Sequence, residues 1–360
     1  KFRIYPTGEQ EILIHKTFGC CRFVYNHMLA DKKQAYEETK QMRKITPAAY
    51  KKEYPWLKEV DSLALANEQL HLERAYRKFF REPGTGFPKF KSKHGSRRSY
   101  TTNVVNGNIW ISEGRLRLPK VGKVKIRQHR EIPAGWRLKS VTVSMEPSGK
   151  YYASLLFSFE PCENQAGTVR AEKVLGIDYA MQGMAVLSTG EKCGNPGYYR
   201  QAQKRLAREQ RKLSHCQKGS RNYQKQKRKV ARRHEKVRNQ RKDYLHKLSF
   251  RLAEEYDAVA VEDLNLKAMS RSLNFGKSVM DNGYGSFLNM LSYKLEERGK
   301  VLVKTDRFYP SSKKCSKCGK VKETLELSER TYHCGCGNHM DRDVNAAINI
   351  REEGKRLLCA

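Results

Sequence analysis

Apolar positions recur at helical spacing early in the chain. Ile12, Ile14, Phe18, Phe23, Val24, Met28 and Leu29 predict a helix from about Glu9 to Tyr36, after a short strand at residues 2–5 that Pro6 stops. Leu63, Leu65, Leu70, Leu72, Ala75 and Phe79 predict a second helix from Asp61, a suitable N-cap, to Phe80. The stretch Glu82-Pro-Gly-Thr-Gly-Phe-Pro ends it. From residue 98 the pattern changes. Val104–Val105, Ile109–Ile111, Leu116–Leu118, Val124–Ile126, Leu138–Ser144 and Tyr151–Phe157 are short β-like runs separated by Gly, Asn and Pro. That spacing predicts a small antiparallel barrel or sandwich, and residues 161–170 read as a linker after it.

A new domain begins at Val174, where Val174–Ala180 and Gly183–Ser188 form a candidate hairpin. Residues 200–255 are helical, with Tyr223, Val230, Val237 and Tyr244 seven residues apart and Leu206 and Leu213 at the same interval. Lys218-Gly219-Ser220 supplies a turn, so this region reads as a helical hairpin with one thin apolar seam. Asp257–Val261 is an apolar strand, Ser286–Arg298 a helix, Lys300–Thr305 a strand and Asp343–Glu353 the last helix.

Charge sharpens this picture. Lys and Arg number 72 against 38 Asp and Glu, a formal net charge of +34 over 360 residues. Such an excess repels itself unless a polyanion neutralises it, and nucleic acid is the natural one. Between Arg200 and Arg251 stand 20 Lys and Arg and only three acids, so the hairpin has a basic exterior. No apolar run approaches the ~20 residues of a membrane span, and Lys1-Phe-Arg-Ile-Tyr-Pro does not read as a signal peptide. The expectation is a protein of the cell interior with no membrane partner.

Three carboxylates carry candidate chemistry. Asp178 lies inside the apolar strand Val-Leu-Gly-Ile-Asp-Tyr-Ala, Glu262 ends Ala-Val-Ala-Val-Glu, and Asp343 opens the helix Asp-Val-Asn-Ala-Ala-Ile-Asn-Ile. A charge beside a buried strand is costly unless paired or metal-bound. Acids on two strand ends and a facing helix can converge, and hard oxygen ligands suit Mg²⁺ or Mn²⁺. Two such ions about 3.5–4 Å apart hydrolyse phosphodiesters in many nucleases. Taken singly, Asp343 could be only an N-cap and Glu262 only a strand-end acid.

Ten cysteines form no disulfide scaffold. Cys315-Ser-Lys-Cys318-Gly and Cys334-Gly-Cys336-Gly make two knuckles of a zinc ribbon, a closed and therefore structural Zn²⁺ site, with His333 or His339 as an alternative ligand. Cys20, Cys21, Cys162, Cys193, Cys216 and Cys359 read as buried or idle thiols. Near the start, aromatics interleave with bases around Arg22–His27, Tyr76–Arg81 and Phe87–Lys93. Base stacking is one reading, with core packing of Phe23 and Phe79 preferred. Lys89, Lys91, Lys93, Arg97 and Arg98 are candidate phosphate contacts, as are Arg228, Lys229, Arg232 and Arg233 on the hairpin.

Several motifs together resemble the TnpB family of transposon-encoded proteins, which are similar to the nuclease cores of type V CRISPR effectors. They are Lys1-Phe-Arg-Ile-Tyr-Pro, Gly19-Cys-Cys-Arg-Phe-Val-Tyr-Asn-His27, Gly86-Phe-Pro-Lys-Phe-Lys91, Arg307-Phe-Tyr-Pro-Ser-Ser-Lys313 followed by Cys315, and Asp341-Arg-Asp-Val-Asn-Ala-Ala-Ile-Asn349. The resemblance spans nearly the whole chain. It implies an α+β multidomain fold: a wedge β-barrel (1–8 and 96–165) with an inserted helical recognition domain (9–95), then an RNase H-like RuvC domain (170–310). A zinc ribbon (311–340) and a last RuvC segment (341–360) follow. The implied activity is guide-RNA-directed cleavage of double-stranded DNA beside a short transposon-adjacent motif, with Mg²⁺ or Mn²⁺, structural Zn²⁺ and guide RNA as cofactors. A prokaryotic cytoplasm, with association to the nucleoid during action, is the implied location; no oligomeric state follows. Asp178, Glu262 and Asp343 match the family's three RuvC acids, and Asp343 is favoured over Asp341 because the family's acid directly precedes the x-Asn-Ala-Ala helix. The four ribbon cysteines match its ligands. Tyr179-Ala-Met-Gln182 departs from the familiar Leu-Gly-Ile-Lys, and the second knuckle is one residue short. Two other readings stand beside it: a non-cleaving RNA-guided DNA-binding regulator, like relatives that have lost the acids, all three of which are present here, and a strand-transfer transposase, whose RNase H fold uses the same acids.

Overall fold

The computed structural model describes residues 1–41, 45–93, 95, 97–160, 173–180, 183–266, 268–269, 281–326 and 328–359. The expected linker, Cys162 and the Met181-Gln182 departure lie outside the described residues. The chain divides into two compact units, Lys1–Glu160 and Pro161–Ala360.

In the first unit, β1 (Phe2–Tyr5) leads into α1 (Gly8–Thr39). Thr7 caps α1 in a reciprocal box with Gln10, and the Gln10 amide also donates 2.9 Å to the Lys123 carbonyl. α2 (Pro47–Glu53) and a 3-10 turn (Pro55–Glu59) come next; both are too short and too polar for the periodicity to reveal. α3 (Ser62–Arg81) starts at Asp61 as predicted, its carboxylate accepting from the Leu63 amide at 3.0 Å. The Thr102 hydroxyl donates to the same carboxylate, which ties α3 to the sheet.

Six further strands follow: β2 (Arg98–Asn103), β3 (Trp110–Ser112), β4 (Arg115–Leu118), β5 (Gly122–Arg127), β6 (Arg137–Met145) and β7 (Tyr151–Ser158). They form one antiparallel half-barrel sheet in the order β2-β6-β7-β1-β5-β4-β3. The chain's first strand therefore sits in the middle, paired with β5 and β7. Helices and sheet share a single apolar core that includes Ile14, Val24, Leu65, Leu72, Val124 and Val143. One expectation moves. The strand lies at 98–103 rather than at Val104–Val105, because Tyr100 and Thr102 point inward by alternation while Val105 is exposed beside the positive-φ turn at Asn106-Gly107.

The second unit holds a five-stranded sheet of β8 (Val174–Asp178), β9 (Ala185–Leu187), β10 (Lys192–Cys193), β11 (Ala258–Glu262) and β12 (Val301–Thr305), ordered β10-β9-β8-β11-β12. β9 runs antiparallel to β8, whereas β11 and β12 run parallel to it. Renumbered within the sheet this is 3-2-1-4-5 with an antiparallel second strand, the order of the RNase H-like fold. α4 (Tyr198–Ser214) and α5 (Arg221–Glu255) are the basic hairpin, and they connect β10 to β11. Gly219 takes the left-handed turn conformation and Ser220 caps α5 through the Tyr223 amide. The seam is thin, as predicted: Leu206, Val230 and Val237 are buried, and Gln226 fills it with amide bonds to the Glu209 carbonyl and carboxylate.

α6 (Tyr284–Glu296) packs on the core of this sheet together with α5. β13 (Thr331–His333) and β14 (His339–Asp341) form a small hairpin that leads straight into α7 (Arg342–Leu358). The placement of α7 depends on missing side chains. A Cβ on Gly176 would lie 2.0 Å from the Ala347 carbonyl oxygen, and a Cβ on Gly354 would lie 2.4 Å from the Ala260 Cβ. Gly176 and Ala260 are register partners in β8 and β11, so α7 rests directly on both strands.

Adding one methyl at Gly176 should therefore be felt strongly, since the obstructing atoms are backbone. Gly176→Ala is expected to destabilise the protein by at least about 3 kcal/mol, at or above the upper end of ordinary overpacking. Gly194→Ala, with nothing within 4 Å, should cost far less. Thermal unfolding of the two variants side by side checks this; equal midpoints would contradict the close crossing.

Candidate active site and nucleic-acid surface

The geometry of α7 brings the acids together. Asp178 lies two residues beyond Gly176, on the same face of β8. Asp343 lies one helical turn before Ala347, on the same face of α7. The Gly176–Ala347 contact therefore sets these two carboxylates at one end of the same crossing. Ile177 pairs with Val261, so Glu262 ends β11 beside Asp178. All three stand at the carboxyl ends of the parallel strands. There β8 is the strand where the sheet order changes direction, the usual ligand site of open α/β sheets.

The electrostatics follow from this clustering. Burial pushes the Asp178 carboxyl well above the usual carboxylate range, and the charges of Glu262 and then Asp343 push it further, against Arg342. Burial also raises Glu262, while the Ser311 hydroxyl, donating to its carboxylate, pulls the other way. Asp343 keeps a side chain 28% exposed and approaches the Arg342 guanidinium at 3.6 Å.

Helix capping falls to Asp341. Its carboxylate accepts from the Asp343 and Val344 amides at 2.9 and 3.2 Å and pairs with Lys192 at 2.6 Å. Asp341 is thereby engaged in holding structure, and Asp343 is released from the capping role it could have had alone.

Two asparagines that the sequence motif contains but assigns no role hold the site's wall. Asn345 and Asn349, both buried, lie one turn apart on α7. The Asn345 amide donates 2.7 Å to the Lys314 carbonyl, and Asn349 donates to the Ser311 and Lys314 carbonyls at 2.8 and 2.6 Å. They clamp the segment that carries Ser311 and Cys315 against α7. The available signal was a pair of amides at i and i+4 flanking two alanines on an otherwise apolar helix face.

The four ribbon cysteines come together. Among the described residues, Cys315, Cys318, Cys334 and Cys336 are the one group of potential ligands whose donor atoms all lie within 4.8 Å of one another. The oxygens of the three carboxylates are not gathered so tightly. The Cys315–Cys336 and Cys318–Cys334 sulfur separations are both 3.6 Å. A tetrahedral zinc with ~2.3 Å bonds needs sulfurs about 3.8 Å apart, so the donor set fits that ion. Gly319 and Gly337 turn each knuckle through positive φ. Burial opposes ionisation of Cys315, yet the Cys318 and Lys317 amides and the Asn338 side chain bring its thiol down to about 6. His333 and His339 face each other, ring centres 4.4 Å apart, outside the sulfur cluster. The thiols of Cys20 and Cys193 are pushed up to about 11 by burial, and Cys21 further, as inert interior thiols.

The candidate phosphate contacts divide. Arg228, Lys229, Arg232 and Arg233 are exposed on α5, and Lys89, Lys93, Arg97 and Arg98 are exposed in the first unit. Lys91 departs from that expectation. Its ammonium bonds the buried Glu68 carboxylate at 2.5 Å and covers the Tyr25 ring at 4.0 Å, so it neutralises an internal acid. Phe23 packs against His27, Tyr54 and Trp56, in keeping with the packing reading, whereas Phe80 and Phe90 are exposed.

The fold and the grouped acids define a RuvC-like, RNase H-fold core coupled to a four-cysteine ribbon. Comparison with known proteins goes further. Residues 156–273 match a family described as probable transposase, OrfB of IS605 type, and residues 284–350 match a Cas12f1-like TNB domain. Residues 1–41 match a model described as a helix-turn-helix domain, although here they fold as one strand and one 32-residue helix. A Streptomyces pristinaespiralis protein named “Putative RNA-guided DNA endonuclease” is 38% identical over 98% of this chain and 88% of its own length. An Escherichia coli K12 protein of the same description is 31% identical over 99% and 92%. The Cas12f1 chain solved by cryo-EM with sgRNA and target DNA shares the fold, with a TM-score of 0.58 at 14% identity, over 95% of this chain and 83% of that one. With that identity along nearly its whole length, the chain belongs to the TnpB family.

Proposed function

We propose that this protein is an RNA-guided DNA endonuclease in which Asp178, Glu262 and Asp343 form the hydrolytic site. The observation that carries the reading is the convergence of three carboxylates at the switch point of an RNase H-like sheet, with Asp178 buried among like charges. Carboxylates so placed are unfavourable by themselves and favourable around divalent cations. Bound there, Mg²⁺ or Mn²⁺ would supply activation of water and stabilisation of the leaving oxygen of a phosphodiester. The chain's own residues do the rest. Ser311 orients Glu262 by its hydrogen bond. Asp341 holds the start of α7 in place, so the Asp343 carboxylate stays free to bind. The positive end of the α7 dipole faces the acids and the phosphate they would receive.

Sequence selection is assigned to the guide RNA, through base pairing, with the protein holding the heteroduplex by its backbone. The exposed bases of α5 and of the 89–98 segment suit that contact. The four cysteines are assigned to one structural Zn²⁺.

The zinc assignment predicts about one Zn²⁺ per chain by elemental analysis. Cys318→Ser should lose it and lower the unfolding temperature. Full activity in a zinc-free preparation would remove the assignment.

Charge on α5 predicts a salt effect. Neutralising Arg228, Lys229, Arg232 and Arg233 together should weaken RNA binding and flatten the log–log salt slope by up to about 2.8–3.6, at ~0.7–0.9 per phosphate contact. An unchanged slope would assign that face to something other than nucleic acid.

Catalysis gives the decisive test, plasmid cleavage by protein carrying its copurified RNA, on a target matched to the guide and its flanking motif. Asp178→Ala, Glu262→Gln and Asp343→Ala should each remove nearly all cleavage, non-additively, while target binding persists. Asp341→Ala should retain much more activity than Asp343→Ala. In EDTA, Asp178→Asn should be at least as stable as wild type near neutral pH, since it removes a buried acid from a cluster of like charge. RNA-independent strand joining would favour a transposase, target binding without cleavage would favour a regulator, and full cleavage by Asp178→Ala would overturn the site.

A further inference from the structure

Tyr284 opens α6 and is 1% exposed, yet its hydroxyl has no hydrogen-bond partner among the described residues. A buried hydroxyl without a partner is destabilising, and the large majority of buried polar atoms avoid that state. Phenylalanine would fill the same space without it, so packing alone gives no reason for the oxygen.

Its surroundings supply one. The Tyr284 ring lies 4.7 Å, centre to centre, from Tyr179, the residue directly after Asp178. The neighbouring Gly285 backbone approaches Leu266 so closely that a Cβ would meet it at 3.3 Å, and Leu266 follows Glu262 by four residues. The Tyr284 ring thus packs beside the chain leaving β8 after Asp178, and the next residue of α6 packs beside the chain leaving β11 after Glu262. Burial, then the fields of Asp178 and Glu262, hold the phenol firmly in the protonated form, so it has a proton to donate.

We propose that the Tyr284 hydroxyl is a positioning donor for the carboxylate cluster. When the acids turn onto a divalent cation, it hydrogen-bonds the Asp178 carboxylate and fixes the orientation of that ligand. The inference rests on the reading of the three acids as metal ligands. It assigns Tyr284 no contact with substrate. Partners of this kind set ligand orientation, and their loss typically weakens metal binding about 10–100-fold.

Tyr284→Phe tests it in the RNA-bound full chain, because the change keeps the ring and removes one oxygen. Mn²⁺ binding is measured calorimetrically, with Asp178→Ala as the blank for sites on RNA and elsewhere. Thermal unfolding is followed in EDTA and in Mn²⁺. The expected result is a metal-free protein as stable as wild type or more so, Mn²⁺ binding at the acid site weaker by about tenfold or more, and a smaller Mn²⁺-induced rise in unfolding temperature. Unchanged Mn²⁺ binding in Tyr284→Phe would overturn the inference and leave the acids' assignment standing. So would a loss of metal-free stability with unchanged Mn²⁺ binding, which would give the hydroxyl a partner in the protein interior. If wild type binds no more Mn²⁺ than Asp178→Ala, the reading of the acids itself fails.

Discussion

The contact between α7 and β8 is the constraint on which the site depends. At Gly176 a helix backbone lies where a side chain would normally be, and at Gly354 the helix returns the favour to β11. The two glycines let α7 lie close on both strands, and that depth sets Asp343 at the level of Asp178. A larger residue at either position would lift the helix off the sheet and draw apart the carboxylates that the crossing brings near one another. The motif around Asp343 is thus only as good as a glycine 167 positions earlier, a dependence visible only in three dimensions.

Charge is arranged in two opposite ways in this chain. The net +34 is spread over exposed surface, above all on α5, where water and a polyanion can screen it. The acids are concentrated in one partly buried cluster, where burial raises both Asp178 and Glu262, and the charges of Glu262 and Asp343 add to that at Asp178. Such a cluster is unfavourable by itself, and the divalent cation proposed for it would relieve that cost. Lys91 shows a third use of charge. Placed in a run of exposed bases, it is turned inward to neutralise Glu68, whose carboxyl would otherwise be raised by burial but is held below the usual range by His71 and Lys91.

Much of this was legible in the sequence because the signals were local. The periodicity of α1 and α3, the apolar strands ending in acids, the basic hairpin and the cysteine knuckles each lie within a few turns of chain. What could not be read was set by distant partners. The strand at 98–103 has a polar sequence, and its inward face is made apolar only by Tyr100 packing into a core shared with α1 and α3. Lys91 looks like its neighbours until Glu68, 23 residues away, is seen beneath it. Asp341 and Asp343 are alike in sequence; helix geometry separates them, giving one the cap and the other the open face. The order of the strands, with β1 between β5 and β7, likewise comes from pairing across the whole first unit.

The segment from Ser311 to Cys318 joins the two chemical centres. Ser311 bonds Glu262 at one end, while Cys315 and Cys318 enter the sulfur cluster at the other. Between them, the Lys314 carbonyl accepts from both Asn345 and Asn349, and the Ser316 amide donates to Asn345. The helix that carries Asp343 therefore also carries the amides that hold the ribbon's first knuckle. A metal cross-linking the ribbon would stiffen this segment from outside, and the asparagines would pass that constraint to Ser311 and α7. On this view the ribbon's place in the chain, inserted between β12 and α7, would let the zinc proposed for it help fix the positions of Glu262 and Asp343 without touching either.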